Sequence, residues 1–268
     1  VFLDNPWIAA LSALFIWWFS TGALIFAVKR ADRAGPGAHQ ALVLLALPLL
    51  FIGAYGVSLS LGDVGPWDAY VGFLSALAVW GWIELAFLGG VITGPNAVPR
   101  PEGCEGWERF QRALGTIMWH ELLLIAALLM IALATQGAEN STALWTFAVM
   151  FFARVSAKLN LFFGVPYINT EFLPKPLSHL ASHFRRRAMN HLFPLSITFL
   201  SMATFCWLER IYSTGRTEFV LLAALTALAL LEHWFMVLPL PDEKLWRWMM
   251  PTPKPTSKTM IREEPHGF

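Results

Sequence analysis

Residues 6–30 read PWIAALSALFIWWFSTGALIFAVKR, an uncharged apolar run from Pro6 to Val28 closed by Lys29 and Arg30, with Arg33 just beyond. A helix needs about 20 apolar residues to cross the hydrocarbon core of a bilayer. This run is long enough, and the basic cluster marks where it leaves the membrane. The pattern recurs along the chain and predicts seven spans at about 6–28, 40–61, 68–92, 113–135, 142–164, 190–208 and 217–239. The expected fold is an all-α polytopic membrane helix bundle with about seven transmembrane helices. A single transmembrane helical domain is expected over about 1–250, and an extended tail over 251–268.

Basic residues alternate between the gaps. The gaps 29–39, 93–112 and 165–189, with the segment from 240 onward, hold fifteen of the nineteen lysines and arginines. The opposite gaps hold only Arg210 and Arg216, while Arg154 and Lys158 fall inside a span. Positively charged short loops remain in the cytoplasm, which predicts a periplasmic N-terminus and a cytoplasmic C-terminus. The acidic lead-in at Asp4 and the absence of a small-residue cleavage site point to a retained first helix rather than a signal peptide.

Composition agrees. Of 268 residues 56% are hydrophobic and only 14% charged, against about 25% charged in soluble proteins. A net charge of +1 gives no electrostatic footprint for nucleic acid. Cys104 in a gap and Cys206 in a span cannot supply a disulfide framework or a metal-ligand spacing. No P-loop, GxGxxG, GxSxG or HExxH pattern is present.

The predicted outer gaps are short, which forces antiparallel hairpins. The basic gaps are longer. One opens with Thr93-Gly94-Pro95-Asn96; another carries His179 and His183, the run Arg185–Arg187, and a short interfacial helix expected over Phe184–Asn190. Trp7, Trp67, Trp107, Trp145, Trp207, Trp246 and Trp248 lie near predicted span ends, where an aromatic belt accounts for them. Trp17, Trp18, Trp80, Trp82, Trp119 and Trp234 lie deeper, and either pack between helices or flank a bound ring.

Ionisable residues inside a membrane are expensive, at least about 2.5–3.5 kcal/mol each near its centre. The spans contain Glu84, His120, Glu121, Arg154, Lys158, His191, Glu232 and His233. Because alternate spans run in opposite directions, all eight are expected in the cytoplasmic half. Three arrangements suit such a cluster. One is a charge-compensated knot of Glu84, Glu121, Arg154, Lys158 and Glu232. Another uses His120, His191 or His233 as an axial ligand to the magnesium of a bacteriochlorophyll. The last is a membrane iron site drawn from Glu84, His120, Glu121, His183, His191, Glu232 and His233.

Five segments carry a family resemblance: NPWIAALSALFIWWFSTGA (5–23), FLSALAVWGWIELAFLGGVITGPN (73–96), GTIMWHE (115–121), FARVSAKLNLFFGVPYINTEFLPKPLSHLASHF (152–184) and LLEHWFMVLPLPDEKLWRW (230–248). In these the chain resembles the photosynthetic complex assembly protein 2 (PuhE) family of purple photosynthetic bacteria. The resemblance implies a gene that travels with the operon of the reaction-centre H subunit. It also implies a role in accumulating the reaction-centre and light-harvesting core or its bacteriochlorophyll, in the intracytoplasmic part of the inner membrane. Photosynthetic reaction-centre and light-harvesting subunits are the implied partners, beside membrane lipids. No catalytic residues are carried over. The rival reading is a membrane metalloenzyme acting on a lipid-soluble tetrapyrrole, carotenoid or quinone.

Overall fold

A computed structural model of the chain describes residues 2–239; the expected Trp246/Trp248 anchor and the 251–268 tail lie outside the described residues. Among the described residues eight α-helices form: α1 (Pro6–Ala34), α2 (Ala38–Leu45), α3 (Leu47–Leu59), α4 (Pro66–Leu88), α5 (Gly106–Ala134), α6 (Thr142–Phe163), α7 (Leu192–Thr214) and α8 (Thr217–Phe235). A 3-10 helix spans Lys175–His183. Taking α2 and α3 together, seven helices among the described residues are long and apolar enough to cross a membrane, as in a polytopic integral membrane protein. No strand forms among the described residues beyond an isolated bridge between Val165 and Arg186.

Local chemistry sets the helix ends. Asn5 caps α1, its side-chain oxygen accepting from the Trp7 amide at 2.9 Å, and Pro6 occupies the first turn where no donor is missed. The second span is broken at Ala46 because Pro48 lacks the N–H that would continue the ladder. Gly215 ends α7 with φ 67°, a left-handed conformation that costs glycine nothing. Asn190 starts α7, its Oδ1 accepting from the amides of Leu192 (2.8 Å) and Phe193 (3.1 Å).

Two expectations are corrected. Helix α5 begins at Gly106 rather than near 113, so Arg109 and Arg112 ride on its first turns. Phe184–Asn190 is not helical. Its backbone is pinned in extended form by Arg185 N–H to Leu161 O (3.0 Å), Val165 N–H to Arg185 O (3.1 Å) and Arg187 N–H to Val165 O (3.3 Å). The helical turn falls upstream, at Lys175–His183.

Helix α4 occupies the centre, packed against α1, α3, α5, α6 and α8. It is apolar around its whole circumference, which suits a helix enclosed by others. Residues on all its sides are buried, Phe73, Ala76, Ile83 and Ala86 among them. Gly56 allows α3 to lie against it, since a Cβ there would come within 2.2 Å of Ser75 Oγ. The outer helices expose Phe15, Phe51, Ile52, Met130, Phe199 and Phe205, surface that suits lipid and not water.

A polar cluster beside a lidded cavity

The ionisable residues of the spans gather at the end of the bundle that carries the 89–105 and 164–191 loops. Arg154 and Lys158, one turn apart on α6, reach different neighbours. Arg154 Nη2 donates to Glu84 Oε2 on α4 at 2.7 Å. Lys158 Nζ donates to Glu121 Oε1 on α5. His120 Nε2 lies 3.6 Å from Glu84 Oε1, beyond a good hydrogen bond. Both nitrogens of the His120 ring and Glu84 Oε1 are buried without hydrogen-bond partners. The imidazole packs on Phe87, ring centroids 4.2 Å apart.

His120 is held from behind by the Thr93–Asn96 turn. Its backbone N–H donates to Thr93 O (3.0 Å), while the Asn96 N–H reaches Gly115 O (3.0 Å) and Asn96 Nδ2 reaches Arg112 O (2.9 Å). The turn therefore lies along the α5 backbone. Gly94 is required there, because a Cβ would sit 2.1 Å from Gly115 O.

In front of the ion pairs, α1, α4, α6 and α8 border a partly open cavity of about 970 Å³, at the upper end of the range for small-molecule sites. Its deeper wall includes Trp17, Trp18, Trp80 and Leu225. Nearer the loops it is bordered by Glu84, Arg154, Lys158 and, from α8, Glu232 and His233. Leu173, Leu177, Leu180 and Phe184 of the 164–191 loop close it like a lid. A second, smaller cavity of about 160 Å³ lies between α5 and α6 on the other side of the Lys158–Glu121 pair.

Basic side chains clamp the lid. Lys29 Nζ donates to the carbonyls of Glu171 (3.0 Å) and Leu173 (2.9 Å). Arg109 Nη2 donates to Phe162 O (2.6 Å) and His183 O (3.1 Å), with its guanidinium 3.9 Å from the centre of the Phe162 ring. Lys175 binds Asp32 through its amide and through Nζ, and Arg186 Nη2 donates to Ile168 O (3.2 Å). These bonds satisfy carbonyls of the lid and of the ends of α1 and α6. Within the lid, burial pushes both His179 and His183 below the usual imidazole range; a bond to the Pro176 carbonyl opposes this at His179, and one to the Val98 carbonyl does so at His183.

The residues singled out from the sequence separate in space. Glu84, His120 and Arg154 meet, and Glu121 and Lys158 meet. Glu232 faces the cavity with no ion-pair or hydrogen-bond partner among the described residues. His233 uses both ring nitrogens, Nδ1 with Ala229 O (2.8 Å) and Nε2 with Ser156 Oγ (2.9 Å). His191 is exposed just before α7. His183 belongs to the lid, its Nε2 3.4 Å from Val98 O. Among the described residues no group of three His, Cys, Asp or Glu side chains converges as metal ligands would. Of the deep tryptophans, Trp17, Trp18 and Trp80 line the cavity, whereas Trp82 donates to Val43 O (3.1 Å).

Sequence reasoning missed Asn160. Fully buried on α6, it donates to Ser156 O (3.0 Å) and Ser196 Oγ (2.9 Å) and accepts from Asn190 Nδ2 (3.1 Å). An asparagine deep in an apolar run (LNLFF) was the available signal.

Comparison with known proteins places the chain in a family. Residues 3–257 match the family described as "Protein of unknown function (DUF3623)", and the chain belongs to it. It is 54% identical, over 98% of its length and 97% of the other's, to a Rhodobacter capsulatus protein described as "Uncharacterized 30.4 kDa protein in puhA 5'region". No solved structure matches.

Proposed function

We propose that this member of the family is an assembly factor or accessory subunit of the photosynthetic reaction-centre and light-harvesting core complex. It resides in the intracytoplasmic region of the inner membrane, N-terminus outside, so that the lidded end faces the cytoplasm. Its cavity holds a lipid-soluble molecule, a bacteriochlorophyll or a lipid, beside the partner subunits. The observation that carries the reading is the cavity itself: about 970 Å³ with tryptophans in its wall, inside a bundle whose 164–191 loop borders it. Such a space serves a carrier or a scaffold for an apolar molecule. The position of the R. capsulatus relative in the puhA region supports the photosynthetic assignment, in line with the operon that the PuhE resemblance implies.

Bacteriochlorophyll passes the test of volume but not of ligation. His233 lines the cavity with both nitrogens engaged, and His120 does not line it. No imidazole–magnesium bond is therefore assigned.

The test is to purify the protein in mild detergent from pigmented native membranes and record its visible and near-infrared spectrum and its co-purifying subunits. Stoichiometric core-complex subunits are the expected result. Protein recovered in quantity without core subunits and without any bound lipid-soluble molecule would overturn the reading.

A further inference from the structure

Around the cavity Arg154 and Lys158 pair with Glu84 and Glu121, and Arg186 donates to the Ile168 carbonyl, whereas Glu232 makes no hydrogen bond or ion pair among the described residues. Glu232 is open to the cavity rather than packed in protein. A carboxylate set in a largely apolar wall gains from a hydrogen-bond donor. The donor has room to arrive on a molecule in the cavity. That molecule meets no free imidazole: His233 is engaged with Ser156 and Ala229, and His120 lies behind Phe87. Hydrogen bonds, not a bond from histidine to metal, are what this wall offers.

We infer that the cavity takes a lipid-soluble ring compound bearing a hydroxyl group, of which the isoprenoid quinols are the simplest class. The hydroxyl donates to Glu232. A second ring oxygen accepts from the Arg154 guanidinium, and the ring and tail extend along Trp80 and Leu225 toward the deep end. Only binding is inferred; no bond is made or broken and no electron moves. The inference rests on the reading that the cavity holds a lipid-soluble molecule, and it names the chemistry of that molecule.

The full chain in lipid nanodiscs, titrated by tryptophan fluorescence quenching, provides the test. The probes are decylubiquinol, its dimethyl ether and the zinc chlorin zinc pyropheophorbide methyl ester. Decylubiquinol is expected to bind saturably, and the ether, which cannot donate, at least about tenfold more weakly. Glu232→Leu should lose about tenfold or more in quinol affinity with an unfolding temperature no lower than the parent's, and Glu232→Gln should lose less because its amide oxygen still accepts. Equal binding of quinol and ether, or wild-type affinity in Glu232→Leu, overturns the inference. Binding of the zinc chlorin without binding of the quinol overturns it while leaving the carrier reading in place. Saturable binding of none of the three overturns both.

Discussion

Glu84 and Arg154 join the central helix α4 to α6 through a 2.7 Å hydrogen bond inside the apolar bundle. The Glu84 side chain is 8% exposed, whereas that of Arg154, which lines the cavity, is 36% exposed. Losing one partner of such a pair strands the other, at a cost of about 3–5 kcal/mol for a fully buried pair. Exposure of Arg154 to the cavity puts this pair near the low end. Glu84→Leu and Arg154→Leu should each destabilise by about 3 kcal/mol, and the double variant by distinctly less than the sum. A double-mutant cycle on thermal unfolding in detergent checks this; additive losses would show that the two side chains do not act as a pair.

Glu232 should behave in the opposite way. With no hydrogen bond or ion pair among the described residues to strand, Glu232→Leu removes a charge from an apolar wall and should leave unfolding unchanged or raise its temperature. The same unfolding assay reads it. A marked drop would reveal a structural partner.

Gly94→Ala should lift the Thr93–Asn96 turn from α5. The added methyl cannot coexist with Gly115 O at 2.1 Å, and the bond from the His120 amide to Thr93 O is lost with the turn. Amide hydrogen exchange should be slow at His120 in the parent chain and faster by at least about tenfold in the variant. Unaltered protection would mean that the turn does not depend on glycine.

Acid should loosen the lid. Burial lowers the pKa of His179 and of His183, so the released lid binds protons more readily than the closed one. The stabilisation is fully present above the ordinary imidazole value of about 6.5 and is lost progressively as pH falls from there toward the depressed values. Arg100 and Arg109 add to the repulsion that a charged His183 meets. Exchange of the 175–184 amides, corrected for the intrinsic pH dependence, should accelerate between pH 7 and pH 5. His179→Phe with His183→Phe should flatten that dependence, and an unchanged profile in the double variant would assign it to other groups.

The seven spans were legible because apolar length and breaks between runs are properties of the linear sequence. The run from Pro6 to Val28 ends at the same basic cluster whatever it packs against. Boundaries shifted where local chemistry intervenes, as at Gly106, where α5 extends well beyond its apolar part. The sequence also put Glu84, His120, Arg154 and Glu232 at one depth. Which of them meet depends on how each helix is rotated about its axis, and α4 is apolar on every side, so no amphipathic stripe discloses its rotation. The cavity had no signature at all, since it arises from how α1, α4, α6 and α8 diverge. Lys29, Arg109 and Arg186 read as topology signals, yet in the fold each donates to a lid carbonyl.

The central claim is a role in building or completing the photosynthetic core complex, and removing the gene from a pigmented host tests it most directly. The near-infrared spectrum of the membranes gives the amount of assembled core, and extraction gives total bacteriochlorophyll and its precursors. The account predicts a marked fall in assembled core with no accumulation of a pigment precursor, restored by the parent gene. Core complex at parental level in the deletion strain would contradict it.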